Sequence, residues 1–242
     1  MNSIIVSAFL LNINTRKDKS KNDYIKFGIK LLEINVPKII FIDPELFDIF
    51  KNINPLNKFI LFTKEQMYLY NYINQITNFT IITNNPDKDT NEYFMLNIHK
   101  SEFIKLAINS NLYNSDQYIW IDFGIYFLFE KSVLGSFNDI ICNIVNKKYD
   151  NIRIASIDNH NSINLDLIYN KIYWVFAGGV FGGNKNALLQ FADLVKESAI
   201  NLIQKNNILI YEVNLWIFIY LENKELFNLY KCNHNPSILL NY

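Results

Sequence analysis

Seven short runs dense in β-branched and aromatic residues punctuate the chain, at Ile4–Leu11, Lys38–Ile42, Phe59–Phe62, Thr80–Thr83, Tyr118–Ile121, Ile152–Ser156 and Ile172–Ala177. Between them lie longer segments in which Ile, Leu, Phe and Tyr recur at three- and four-residue steps: Tyr24–Ile34, Lys64–Gln75, Asp89–Asn109, Asn184–Gln204 and Tyr211–Leu221. Alternation of that kind predicts βαβ units, and strands apolar on both sides predict a mostly parallel sheet covered by helices on both faces. The expected fold class is therefore α/β, and 242 residues suit one domain with a well-filled core.

Lys plus Arg balance Asp plus Glu at 23 each, so no overall field draws the chain to nucleic acid or an anionic membrane. No apolar stretch reaches the roughly 20 residues of a membrane helix, and the apolar start lacks a basic leader and a cleavage site, so it reads as a first strand. The two cysteines, Cys142 and Cys232, have no partner at metal-binding or redox spacing and read as buried thiols in a reducing, cytoplasmic setting. Whether the chain forms a homo-oligomer is open at this level.

Asp122 ends the run Tyr-Ile-Trp-Ile and precedes Phe123-Gly124. A carboxylate at the carboxyl end of a buried strand stands where open α/β sheets bind ligands, and it could hold a divalent cation or accept from a ribose hydroxyl; an acid that caps the next turn is the competing reading. Ala177-Gly178-Gly179-Val180-Phe181-Gly182-Gly183 holds four of the seven glycines. It is expected to form a strand-to-helix turn whose bare backbone admits a bulky polar ligand such as a sugar. It is not a Walker loop, since Asn184-Lys185-Asn186 follows, and no G-x-G-x-x-G occurs. Glu212 opens an apolar helix, where an acid also simply suits the helix dipole. Of the three histidines, His234 lies in a late loop, either facing solvent or completing a metal site with Asp122. Lys100, Lys105 and Arg16 are candidates for neutralising a diphosphate.

Taken in order, Ile5-Val-Ser-Ala-Phe9 with Arg16, Pro37–Asp43, Asn85–Thr90, Lys100–Phe103, Trp120-Ile-Asp-Phe-Gly-Ile125 and Gly178–Gly183 resemble the bacterial WlaTC/HtrL-type glycosyltransferases over most of the chain. The resemblance implies a GT-A-like (Rossmann-like) domain, a nucleotide-sugar donor such as a UDP-sugar, a glycan or other hydroxyl acceptor, and a cytoplasmic transferase of polysaccharide biosynthesis. In that reading Ser7, Ala8, Phe9 and Asp43 frame the base, Arg16 and Lys100 neutralise the diphosphate, and Asp122 with Gly124 holds ribose or a metal such as Mn²⁺ or Mg²⁺. The C-terminal half is also similar to the blood-group-type retaining galactosyltransferases. That likeness implies that Gly182 and Gly183 face the substrates and that Glu212 is the nucleophile or oxocarbenium-stabilising carboxylate; Gly178 and Gly179 of the same run are further candidates for binding. The chain departs from the Asp-x-Asp pattern of such enzymes, having Asp122-Phe123-Gly124, which leaves metal dependence open. It also leaves open a catalytically inactive module that binds a nucleotide-sugar or glycan.

Overall fold

The computed structural model describes residues 2–11, 19–76, 88–130, 136–158 and 163–242. Seven strands form one sheet in the order β3-β2-β1-β4-β6-β5-β7: β1 Ile4–Phe9, β2 Lys38–Ile42, β3 Asn57–Leu61, β4 Gln117–Ile121, β5 Ile152–Ser156, β6 Phe176–Asn184 and β7 Phe227–Lys231. All neighbours run parallel except β6, which is antiparallel to both β4 and β5. The α/β class and the mostly parallel sheet are as the apolar runs imply. The expected strand Thr80–Thr83 lies outside the described residues.

Successive side chains divide between the two faces with period two. Ile4, Val6, Ile39, Phe41, Tyr118 and Trp120 enter one apolar cluster with α3 (Asn91–Ile98), α4 (Lys100–Asn109), α6 (Lys185–Asn206) and α7 (Glu212–Glu222). Ile5, Ile119 and Ile121 join α1 (Lys21–Leu32), α5 (Phe137–Ile144) and α8 (Ser237–Leu240) on the other face. At the β2 edge of that face, Ile40 and Ile42 pack with Phe9, Phe123 and Phe50 of the short α2 (Phe47–Phe50). Local chemistry sets the helix starts: Ser20 and Asp23 form a capping box on α1, Thr90 accepts from Tyr93 N, and Asn184 accepts from Asn186 N.

Four expectations change, the first being that the run Ile172–Ala177 is strand only from Phe176, where β6 begins. Lys64–Gln75 is two 3₁₀ turns, Lys64–Gln66 and Tyr70–Gln75, rather than an α-helix; the first is closed by a Thr63–Gln66 capping box and stops where Met67 turns extended. The segment Asp89–Asn109 is not one helix but α3 and α4, which meet at His99. The largest change concerns the glycine run, which is not a turn into a helix. It is most of β6, a central strand held on both sides. Close approach explains its composition: a Cβ on Gly182 would stand 2.4 Å from the Tyr242 hydroxyl and 2.5 Å from Tyr118 O, and Gly183, at φ +150°, would put one 2.3 Å from Asn151 O. Only glycine fits there.

The β5–β6 ladder also breaks. Ile154 pairs with Phe181 but Ala155 pairs with Ala177, so three residues of β6, Gly178–Val180, stand against a single step of β5. That bulge reverses the parity of the strand: Phe176 and Phe181 face the first cluster, Ala177 and Val180 the second. It lies beside the end of β4, where Asp122 N donates to Gly179 O at 3.0 Å.

The helix junction carries a testable consequence. His99 is buried against Phe62, Tyr68 and Phe103, and neither ring nitrogen has a hydrogen-bond partner among the described residues. Burial, helped by Lys196, pulls its pKa down to about 3. Below the unfolded value of 6.5 the unfolded chain therefore takes up a proton that the folded chain refuses. Stability should fall by about 1.4 kcal/mol per pH unit from this one residue as pH drops toward 3. Replacing it, His99→Leu, should flatten the pH dependence of the urea midpoint between pH 6 and 4 by one proton's worth; an unchanged slope would show that His99 titrates normally in the native state.

Candidate active site

Strand order reverses at β1, whose neighbours are β2 on one side and β4 on the other, and open α/β sheets place ligands outside the carboxyl ends of such strands. A cleft opens there. It holds about 640 Å³ of space, open to solvent, and is lined by Ala8 and Phe9 from the end of β1, Trp120, Asp122, Phe123 and Gly124 from the end of β4, Tyr93, Leu96, Asn97 and Lys100 from α3 and α4, and Lys19, Tyr24 and Phe127 at the rim.

One wall is aromatic. Phe9 stacks on Phe123 at 5.0 Å between ring centroids and on Tyr24 at 5.5 Å, and Phe123 is seated against α1 at Gly28, where any side chain would meet its ring at 1.9 Å. Phe9 and Phe123 are each 3% exposed, so the face left for a stacked heterocycle is that of the partly buried Tyr24. Lys19 stands at the mouth with its ammonium 3.0 Å from the centroid of Phe127.

The opposite wall is charged. Asp122 Oδ1 accepts from Trp120 Nε1 at 2.7 Å and lies 3.0 Å from Lys100 Nζ, so the carboxylate is fixed in orientation while its side chain stays 40% exposed. Lys100 is 7% exposed and also meets Gly178 O at 3.2 Å and Glu212 Oε1 at 3.5 Å. Burial alone would lower the lysine's pKa, but Asp122 and then Glu212 outweigh it and hold the ammonium above its usual range. Glu212, 3% exposed, moves up: burial outweighs the pull of Lys100, with Asp122 adding to the rise. Its Oε2 has no hydrogen-bond partner among the described residues. Tyr211, buried beside it, has its phenol pKa raised by burial and by Glu212.

Of the residues marked in the sequence, Ala8, Phe9, Lys100, Asp122 and Gly124 line the cleft. Gly178 and Gly179 are in the bulge at its back, in contact with Glu212 and Asp122 respectively. Others lie elsewhere. Ser7 is buried within β1, donating to Ile121 O at 2.6 Å. Asp43 uses both carboxylate oxygens on backbone amides, accepting from Glu45 N and Leu11 N, and lines a separate hollow with Thr63 and Lys64. Gly182 and Gly183 do not face the cleft, because close packing against Tyr242 and Asn151 fills their space. Lys105 pairs with Asp193. His234 packs edge-on against Trp174 at 4.4 Å, with burial lowering its pKa and Asp158 and Lys88 as its charged neighbours. Arg16 lies outside the described residues. Glu212 sits behind Lys100 and does not line the cleft.

The residues are a poor cage for Mn²⁺ or Mg²⁺. Lys100 and Trp120 already engage Asp122 Oδ1, position 124 carries no carboxylate, and the described residues hold no group of three His, Cys, Asp or Glu side chains that could bind a metal.

The bulge gives a sharp test. A Cβ on Gly178 would stand 2.5 Å from Glu212 Oε1, whereas one on Gly179 would meet nothing closer than 3.4 Å. Gly178→Ala should cost about 1–3 kcal/mol of stability as the buried acid is displaced, and Gly179→Ala should cost well under 1 kcal/mol on the same scale, both read from urea unfolding. Equal effects would place Glu212 away from the β6 backbone.

Among solved structures the chain is similar to the apo form of mouse xyloside xylosyltransferase 1, at 11% identity over 96% of this chain and 86% of that one, with a TM-score of 0.48. It is also similar to a glycosyltransferase involved in the glycosylation of the major capsid of PBCV-1, at 11% identity over 98% and 83% with a TM-score of 0.45. The apo-form glycosyltransferase GlyE of Streptococcus pneumoniae TIGR4 matches at 10% identity, 95% of this chain and 45% of that one, with a TM-score of 0.46. Likenesses this distant carry no argument about the site. No curated protein is similar enough in sequence to count as a match. A family model described as a bacterial protein of unknown function, HtrL_YibB, matches residues 5–236, and with nearly its whole length covered the chain belongs to that family.

Proposed function

We propose that the cleft binds a nucleotide-sugar and that the chain is a glycosyltransferase, moving the sugar to a hydroxyl of a glycan or similar acceptor. The observation that carries the reading is the oriented, half-exposed Asp122 carboxylate at the end of β4, facing an aromatic wall across the point where strand order reverses. Each part has a counterpart in such a donor. Tyr24, backed by the buried Phe9, offers a stacking surface to the base, Asp122 accepts from hydroxyls, and Lys19 at the rim offers charge to the diphosphate; Arg16 is a further candidate for that charge.

In the transfer, the acceptor oxygen forms a bond to the anomeric carbon as the bond to the diphosphate oxygen breaks, the diphosphate leaves with the electron pair, and the acceptor's proton passes to water in the open cleft. Stabilising charge on the leaving group is the largest contribution the protein can make. The burial of Glu212 behind Lys100 supports a part in holding that lysine rather than direct contact with the sugar. A product of inverted anomeric configuration would agree with this; a retained one, lost in Glu212→Gln, would return Glu212 to the chemistry.

Calorimetry with UDP, GDP and dTDP sugars, paired with a donor-turnover assay, tests the proposal. One of the donors should bind, Tyr24→Ala should weaken it by about 1–3 kcal/mol, the scale of one base-stacking contact, and Asp122→Asn should keep its fold while losing about 10²-fold in turnover. Full turnover in Asp122→Asn contradicts the assignment. Binding with no turnover in any acceptor mixture favours instead a catalytically inactive nucleotide-sugar or glycan-binding module, a reading that the lone carboxylate of Asp122-Phe123-Gly124 keeps in play.

A further inference from the structure

Three oxygens from three separate elements converge on the Lys100 ammonium: Asp122 Oδ1 from the end of β4 at 3.0 Å, the Gly178 carbonyl from the β6 bulge at 3.2 Å, and Glu212 Oε1 from the start of α7 at 3.5 Å. Two carboxylates and a backbone carbonyl make a hard-oxygen set of the kind divalent cations take, yet these separations are those of ammonium contacts, not of metal bonds at about 2.0–2.6 Å. The space is closed on the Glu212 side and opens to the cleft only at Asp122, 40% exposed. Lys100 is 7% exposed and Glu212 3%, and the missing side chain of Gly178 is what lets Glu212 reach the ammonium.

We infer that Lys100 is a resident cation, filling from within the protein the place a divalent metal would take beside Asp122, so that a sugar nucleotide binds here without metal. This rests on the nucleotide-sugar reading for its ligand, but its physical basis is the oxygen cage alone. Without the ammonium, two carboxylates face one shared space with nothing between them. Such a pair either takes a proton or takes a cation. Position 124 fits the same account: a carboxylate there would need a Cβ, which would press on the Tyr24 ring at 3.0 Å, so the second acid of a metal pair is traded for a wall of the base-binding surface.

The test has two parts. In wild type, UDP affinity by calorimetry should be the same in EDTA and in millimolar Mn²⁺, and Mn²⁺ alone, followed by the loss of its free-ion EPR signal, should show no site that depends on Asp122. Lys100→Ser, checked for folding by circular dichroism, should gain one Mn²⁺ site, and the double variant with Asp122→Asn should lose it. Wild-type UDP binding that weakens about tenfold or more in EDTA overturns the inference, as does a wild-type Mn²⁺ site removed by Asp122→Asn, or a folded Lys100→Ser that binds no metal. If Lys100→Ser fails to fold, the wild-type comparison decides. UDP binding in neither buffer counts against the nucleotide-sugar reading, while the Mn²⁺ titrations still decide the resident cation on their own.

Discussion

A single buried ammonium holds the working end of this molecule together. Lys100 is the point where α4, the end of β4, the β6 bulge and the start of α7 meet, and each contact keeps a different group from being costly. A carboxylate as buried as Glu212 is tolerated only when paired, and an ammonium as buried as Lys100 only when acceptors surround it. Because the arrangement is mutual, removing one partner strands the others, and the site's shape and charge are set by the same contacts that dock two helices onto the sheet.

The sheet makes that meeting possible. A purely parallel strand order would carry the chain away from β4, but the antiparallel β6 returns along it and reaches the end of β4 with its own N-terminal half. The bulge at Gly178–Val180 takes Gly178 out of the β5 ladder and leaves its carbonyl for Lys100, while Gly179 O faces β4 and accepts from Asp122 N. Irregularity sits where the chemistry needs backbone oxygens, as bulges beside functional clefts commonly do. On the other wall Gly28 performs a similar service, letting Phe123 pack against α1 so that Phe9 stacks on it and Tyr24 on Phe9.

Much of this frame is legible in the sequence. β2 and β5 have the expected bounds and β1 and β4 nearly so, because strands buried on both faces leave unbroken apolar runs. β7 is not legible: Asn228 and Lys231 are exposed, and its pattern is that of a short edge strand. Nor is β6, since glycines that serve close backbone packing look the same as glycines that serve a turn. Asp122 is marked by its position after an apolar run, and Lys100 and Glu212 can be singled out one at a time. Their meeting cannot be read, because it depends on a register shift between β5 and β6. Tyr24 and Tyr93 give no signal either, for in a chain with 15 tyrosines and 19 phenylalanines a cleft aromatic has the same spacing as a core one.

A structure determined with UDP bound tests the central claim most directly. The account predicts the base against Tyr24, the ribose beside Asp122, and the diphosphate pointing along the cleft toward Lys19. A nucleotide seated instead in the hollow by Asp43 and Thr63, or anywhere out of contact with Asp122, would contradict it.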